Sequence, residues 1–285
     1  MFFLKRIVTI AIALLLLVGC QTEEKLLDVL TETNDRQELA ENMDELKEDG
    51  EKELDLQEDV ESDQVTVVIE EETDVEKKYE IDSVSWRVKH LKESNEQIVL
   101  ITIDDAPDQY SVELAEKLKK LDAGAIFFVN GHFLKSEEDR NKLRNIHELG
   151  FVIGNHTMNH PNMSHLSKEE QEKEIIELNN LIEEIIGERP KFYRAPFGVN
   201  TEESKAIVEQ EGMISMNWTY GYDWETEYQN AEALAEIMVN TPLLINGANL
   251  LMHDRKWTVE AIDEIVTGLR DKGYEPVNPL KIKTK

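Results

Sequence analysis

Apolar residues in this chain follow two rhythms that alternate from about residue 97 onward. The first is a short continuous run. Ile98–Ile103 (IVLITI) is six apolar or β-branched residues with no alternation, which suits a strand buried on both faces of a sheet. Similar runs predict strands over 125–129 (AIFFV), 151–154 (FVIG), 191–194 (KFYR), 214–218 (ISMNW), 248–252 (ANLLM) and 274–278 (YEPVN). The second rhythm has the helical period and predicts helices over 111–121, 137–149, 167–186, 201–211, 231–240 and 257–272. The clearest is 167–186. It places Ile175, Leu178, Ile182, Ile185 and Ile186 on one face, with Ser167 and Glu170 as a capping box and Gly187 as the stop. Asn200 with Glu203 three residues on predicts the start of the next helix. Strands alternating with helices imply a parallel sheet or a barrel. The sequence carries no internal repeat.

The N-terminal third is different. MFFLKRIVTIAIALLLLVGC begins with two cations, Lys5 and Arg6, followed by an apolar core from Ile7 to Val18. That core is short for a membrane span and suits a secretory signal. LVGC at 17–20 resembles a bacterial lipobox, which implies cleavage after residue 19 and lipid on the sulfur of Cys20. The protein would then sit on the outer face of a bacterial membrane, held by its lipid. An ordinary signal or anchor helix containing a cysteine is the plainer alternative. Residues 20–62 are rich in Glu, Asp, Gln and Thr and lack aromatics, as a largely disordered tether would. Leu39, Met43 and Leu46 add the spacing of a short helix. In 63–94, VTVVIE and YEIDSVSW can supply a strand or two, and 95–285 is the expected folded domain.

Charge and cysteine content narrow the function. The chain holds 60 acidic and 31 basic residues, a net −29, and between Gln21 and Glu80 there are 24 acidic against 6 basic. Such a balance argues against nucleic acid as a partner, because binding phosphates needs a positive face. Cys20 is the single cysteine, so disulfides and thiolate metal sites are excluded. A tethered monomer is the default expectation.

The ends of the predicted strands carry the candidate chemistry. Strand 98–103 runs into Asp104 and Asp105, strand 151–154 into NHTMNHP with His156 and His160, and strand 191–194 into RAPFG with Arg194. Strand 214–218 leads to TYGYDWE with Asp223 and Trp224, and strand 248–252 ends at His253. Alone, the Asp pair before Pro107 also fits a turn. Five strand ends carrying Asp, His, Arg, Asp and His fit a site better, because parallel strands open their C-terminal ends onto one face.

The spacing of His156 and His160 allows one helical turn or, with Pro161 next, a shaped loop. With a carboxylate from a neighbouring strand they form a two-His, one-carboxylate set that leaves a zinc-like ion a position for water. Of two adjacent Asp, one can bind metal while the other, pointing the opposite way, takes a proton from water. Arg194 would pin that second carboxylate. His253 would protonate a leaving group, with Asp223 orienting its ring. These parts suit amide or ester hydrolysis.

TIDDAP, HTMNH, RAPFG, DW and LLMHD, in this order, resemble the motifs of the polysaccharide deacetylase family (carbohydrate esterase family 4, the NodB homology domain). The likeness spans residues 95 to 280, including AIFFVNG and GYEPVNPL. It implies an irregular (β/α) barrel and removal of acetate from N-acetylglucosamine units of a cell-wall or extracellular polysaccharide. It further implies Asp104 as general base, and Asp105 as ligand to a divalent metal, zinc foremost, beside His156 and His160. Arg194 would orient Asp104, and His253 would be the acid tuned by Asp223. The backbone N–H of Phe197 would stabilise the oxyanion, while Trp224 and Leu251 would wall the acetyl pocket.

Four positions depart from the family pattern, among them Ala106, which replaces a glycine, Phe197, which replaces a tyrosine, and Tyr220, which replaces an aspartate. Ile103 also stands where phenylalanine is usual. If position 106 required a positive φ, Ala106 would be strained by about 1 kcal/mol. An O-acetyl esterase and a non-catalytic glycan-binding lipoprotein are the alternative functions. Trp218, Tyr220, Tyr222 and Trp257 read as core or pocket scaffold more readily than as sugar platforms. His90, His132, His147 and His165 read as structural or exposed, and Asn155 and Asn159 as loop-shaping.

Overall fold

A computed structural model describes residues 75–285. The expected signal peptide at 1–19, Cys20, the acidic tether at 20–62 and the VTVVIE run lie outside the described residues. Among the described residues, no helix is long and apolar enough to cross a membrane.

Two short strands come first, β1 (Tyr79–Ile81) and β2 (Val88–His90), paired as an antiparallel hairpin. Then follow β3 (Gln97–Ala106), α1 (Ser111–Lys120), β4 (Ala125–Val129), α2 (Glu137–Glu148), β5 (Val152–Asn155), α3 (Lys168–Ile186) and β6 (Phe192–Tyr193). The chain continues through α4 (Glu202–Gln210), β7 (Ile214–Ser215), β8 (Tyr220–Gly221), α5 (Ala231–Asn240), β9 (Ala248–His253), α6 (Lys256–Asp271) and β10 (Tyr274–Pro276). The strands from β3 onward form one parallel sheet in the order β7-β6-β5-β4-β3-β9-β8, and β10 pairs with the start of β3. The sheet curls into an open half-barrel whose two edge strands, β7 and β8, are consecutive in the chain. This is the irregular barrel that the family resemblance implies.

Double-sided burial of β3 has a direct explanation. Val99, Ile101 and Ile103 meet the helices, alongside Phe127 and Val129 of β4, in the larger core. Ile98 and Leu100 face the interior of the curl with Ile126, Phe128, Phe192 and Met216. Period-two geometry then sends Thr102 and Asp104 to the same inner face, above an apolar floor.

All six helices lie within a residue or so of their predicted spans. Ser167 and Glu170 cap α3, and Gly187 ends it at φ 74°. The cap of α4 is corrected by one residue: Thr201, not Asn200, accepts from the N–H of Ser204. The Asn200 amide instead reaches the Gly198 carbonyl and Asn217. Strands 191–194 and 214–218 are only two residues long in the fold, and β8 has no counterpart among the predicted strands.

Described residues ahead of position 95 join the same unit as the barrel. Tyr79 bridges to Ile282, the Lys283 N–H donates to the Tyr79 carbonyl at 2.7 Å, and the Val88 N–H donates to that of Gly247 at 2.9 Å. Val88 is buried in the barrel interior, with Ile81 and Trp86 packed beside it. The hairpin therefore fills the lower end of the half-barrel.

Candidate active site

Register explains how residues distant in sequence meet. In the β3–β9 pairing Asp104 lies opposite His253. In β8–β9 Gly221 lies opposite Leu251, so two residues further on Asp223 meets His253. In β5–β6 Asn155 lies opposite Tyr193, which puts His156 beside Arg194. The result is a cavity of about 460 Å³ at the C-terminal ends of the strands. Asp104, Asp105, His156, His160, Phe197, Trp224, Leu251 and His253 line it.

Asp104 is buried, and its Oδ1 accepts from Arg194 Nη1 at 2.7 Å. Arg194 is fully buried, with its guanidinium 4.3 Å from the Phe128 ring centre. Its other bonds run from Nη1 to Thr102 Oγ1 at 2.8 Å, and from Nη2 to the Asn217 carbonyl at 3.0 Å and Asn249 Oδ1 at 3.3 Å. Burial lowers the Arg194 pKa from its ordinary value, and the Asp104 carboxylate works against that fall. A guanidinium stays charged in any case, so the pair is a buried ion pair; both Nη groups are hydrogen-bonded, whereas the buried Nε has no partner.

Asp105 breaks the regular geometry of β3 from within. Its φ is 60°, and the β3–β4 register shifts between Ile103 and Ala106. In a regular strand adjacent Asp would face opposite sides; this bulge turns both toward one cavity. It also corrects the concern about position 106. The left-handed residue is Asp105, and Ala106 sits fully buried in the strand at no positive φ.

His156 and His160 sit on a shaped loop, not a helical turn, with Thr157 at φ 71° and His160 at φ 57°. Asn155 shapes it by accepting from the Thr157 N–H at 2.8 Å, and Asn159 is tied to Glu174. Of six non-glycine residues at positive φ among the described residues, four belong to the site: Asp105, Thr157, His160 and Phe197. Strain of this kind persists where the surrounding fold enforces it, as functional sites often do.

Asp105, His156 and His160 offer three ligand atoms within 4.8 Å of one another. His156 Nδ1 donates to the Arg194 carbonyl at 2.7 Å, so its Nε2 lone pair is left for a metal. Asp105 Oδ1 lies 3.7 Å from His160 Nε2. Two imidazoles and a carboxylate at this spacing fit a divalent ion with an open coordination position. Burial raises the Asp105 pKa, but the charges of His253, His156, His160 and Arg255 outweigh it and hold the carboxyl below its ordinary value. For His160, burial and its neighbour His156 lower the pKa, which favours the neutral ligand form.

His253 Nδ1 donates to Asp223 Oδ1 at 2.7 Å, leaving Nε2 free of that contact. Asp223 is fully buried and also accepts from the His253 N–H at 2.6 Å and Thr258 Oγ1 at 2.9 Å. Burial disfavours the imidazolium, but the Asp223 hydrogen bond and charge, with Asp104 and Asp105, raise the His253 pKa above its ordinary value.

Phe197 forms a 3-10 turn whose hydrogen bonds begin at the N–H groups of Gly198 and Val199. Its own N–H is outside that ladder, while its ring is 64% exposed and meets His160 edge-on at 4.9 Å. Trp224, 42% exposed, stands edge-on to His253 at 5.5 Å, and buried Leu251 closes the wall. Gly221 permits this closeness: a Cβ there would lie 2.4 Å from the Leu251 carbonyl and 2.8 Å from the Trp224 ring.

Of the other aromatics, Trp218 lines the cavity. Tyr220 is core, its hydroxyl donating to the Met238 carbonyl at 2.8 Å, and Trp257 donates to the Asp223 carbonyl. Sequence reasoning missed Thr102, Asn249, Asp254 and Arg255. Asn249 is buried, accepts from Arg194 and donates to the carbonyls of Asn217 and Trp86. Its one signal was a polar residue inside an apolar strand. Asp254 accepts from the N–H groups of Asp108, Tyr110 and Ser111.

Comparison with known proteins agrees with this geometry. The family model described as polysaccharide deacetylase matches residues 91–216. A peptidoglycan-N-acetylglucosamine deacetylase of Bacillus cereus is 34% identical over 190 residues, covering 63% of this chain and 68% of that protein. Among solved structures, a family 4 carbohydrate esterase from Streptomyces lividans, in complex with acetate, superposes with a TM-score of 0.57 at 25% identity. That match covers 63% of this chain and 91% of the esterase. A family 4 pseudoenzyme from Bacillus anthracis matches with a TM-score of 0.58 at 29% identity, covering 64% of each chain. This chain belongs to the polysaccharide deacetylase family.

Proposed function

We propose that this protein is a metal-dependent deacetylase that hydrolyses N-acetyl groups of N-acetylglucosamine units in a cell-wall polysaccharide, peptidoglycan foremost. One observation carries the reading. A pinned carboxylate (Asp104), an imidazole with a raised pKa (His253) and a three-donor metal set (Asp105, His156, His160) face a single cavity. Zinc suits the donor set. When bound, it supplies Lewis-acid polarisation of the water and the acetyl carbonyl.

The chain's own residues do the rest. Trp224 and Leu251 receive the acetyl methyl, and the Phe197 N–H donates to the carbonyl oxygen. Asp104, pinned by Arg194, takes a proton from the attacking water as its oxygen bonds to the carbonyl carbon. Negative charge then grows on the former carbonyl oxygen, where the Phe197 N–H would donate; one such donor typically contributes about 10²–10³ in turnover. His253 gives its proton to the sugar nitrogen as the C–N bond breaks. Acetate and a free amino sugar leave, and solvent restores both protonation states. Lipid attachment at Cys20 and an extracellular, membrane-held location belong to the same proposal.

The pseudoenzyme relative makes turnover the point to test. Full-length protein should release acetate from N-acetylglucosamine oligomers with added zinc. The signal should vanish with chelator and fall by about 10²–10⁴ in Asp104→Asn, the usual range for removing a general base. No acetate from a folded, zinc-binding chain would overturn the N-deacetylase reading and favour an O-acetyl substrate or glycan binding.

A further inference from the structure

Arg255 follows the site's last predicted residue by two positions and occupies the N-cap position of α6, where its side chain makes no capping bond. Its guanidinium bridges two acceptors: Nη1 donates to the Asp254 carbonyl and Nη2 to Asp105 Oδ2, each at 2.9 Å. The carboxylate of Asp105 is thereby divided. Oδ2 is committed to Arg255, while Oδ1 faces His160 within the donor cluster.

Asp105 depends on outside support because its backbone is left-handed, a conformation that non-glycine residues hold only under constraint. The stretch after His253 supplies the constraint from several directions. The Asp254 N–H donates to the Asp104 carbonyl at 3.1 Å. The Asp254 carboxylate accepts from the N–H groups of Asp108 and Ser111 at 2.9 Å and of Tyr110 at 2.7 Å, and from the Ser111 hydroxyl. Asp254 therefore fastens the backbone around the Asp pair, and Arg255 reaches the side chain.

We propose that Arg255 is a positioning residue: it holds Asp105 as a one-oxygen metal donor and keeps the second oxygen from turning toward the ion. The inference rests on the metal reading above and adds a residue that none of the family motifs in the sequence contains. Arg255 acts through Asp105, and its side chain is 37% exposed.

Two physical effects give opposite signs, which makes the role testable. Removing a cation beside a cation site should, by Coulomb's law alone, tighten metal binding. Losing the hydrogen bond that orients a ligand typically weakens it by about 10–100-fold. The experiment is competition for zinc between the full-length protein and a chromophoric chelator, for wild type, Arg255→Met and Arg255→Lys. Arg255→Met should bind zinc at least about tenfold more weakly. Arg255→Lys should lose less, since an ammonium keeps one charged donor for Asp105, though it cannot reproduce the planar two-acceptor bridge. Should Arg255→Met fail to fold by near-UV circular dichroism, Arg255→Lys carries the comparison.

Zinc affinity equal to or tighter than wild type in the folded variants overturns the positioning role while leaving the metal site intact. A wild-type chain that binds no zinc overturns the metal reading and this inference with it.

Discussion

At His253 two effects oppose each other on one imidazole. Burial favours the neutral ring, and the Asp223 carboxylate favours the charged one. The second wins, because a fully buried carboxylate 2.7 Å from Nδ1 acts with little solvent screening. A general acid must be protonated to act, so activity is lost as pH rises through its pKa, and a raised pKa carries activity further into the alkaline range. Asp223→Asn removes the charge and leaves the burial. The alkaline limb of the kcat/KM profile should therefore move to lower pH. A limb unmoved in a folded Asp223→Asn variant would remove His253 from the acid role.

At the scale of elements, the β1–β2 hairpin matters more than its length suggests. Tyr79, Ile81, Trp86 and Val88 pack into the interior cluster whose upper end carries Thr102, Asp104 and Arg194. Asn249 ties the two ends together, donating to the Trp86 carbonyl while accepting from Arg194. Full burial of such a side chain contributes about 1.5–3 kcal/mol. Val88 is buried and Tyr79, Ile81 and Trp86 are partly buried, so their sum is a sizeable fraction of a domain's stability of about 5–15 kcal/mol. A chain starting at residue 95 should therefore lose near-UV circular dichroism and bind a hydrophobic dye, whereas one starting at 75 should do neither. Equal behaviour of the two would mean that the hairpin is an accessory.

For the whole molecule, charge and placement belong together. The chain carries a net −29, and residues 21–80 alone hold 24 acidic against 6 basic groups. An anionic protein gains nothing electrostatically at an anionic membrane surface, so attachment there calls for a covalent device. Lipid adds about 0.8 kcal/mol per buried methylene, and a single chain holds only marginally. The proposed lipid on Cys20 would meet that need. Expressed in a Gram-positive host, the protein should incorporate a palmitate analogue and sediment with membranes, and Cys20→Ser should abolish labelling. Labelling that persists in Cys20→Ser would reject the lipobox.

What the sequence determined by itself is local or periodic. Runs buried on both faces, helical stripes and most caps depend on near neighbours, so the helices and the central strands emerged near their observed places, as did the reactive groups at strand ends. The two-residue strands β6 and β7 are shorter than their predicted runs, and β8 had no predicted counterpart. Ordered motifs added the roles that the family resemblance implies. The tertiary structure decided convergence. Register set Asp104 opposite His253, and a bulge at Asp105, which no local preference for that residue demands, turned two adjacent carboxylates into one cavity. Arg255, Asn249 and the hairpin take their roles from partners far away in the chain; Arg255 and Asp105 are separated by 150 positions. Such contacts leave no periodic trace, because they are selected by how the sheet curls and packs, not by what stands beside them in sequence.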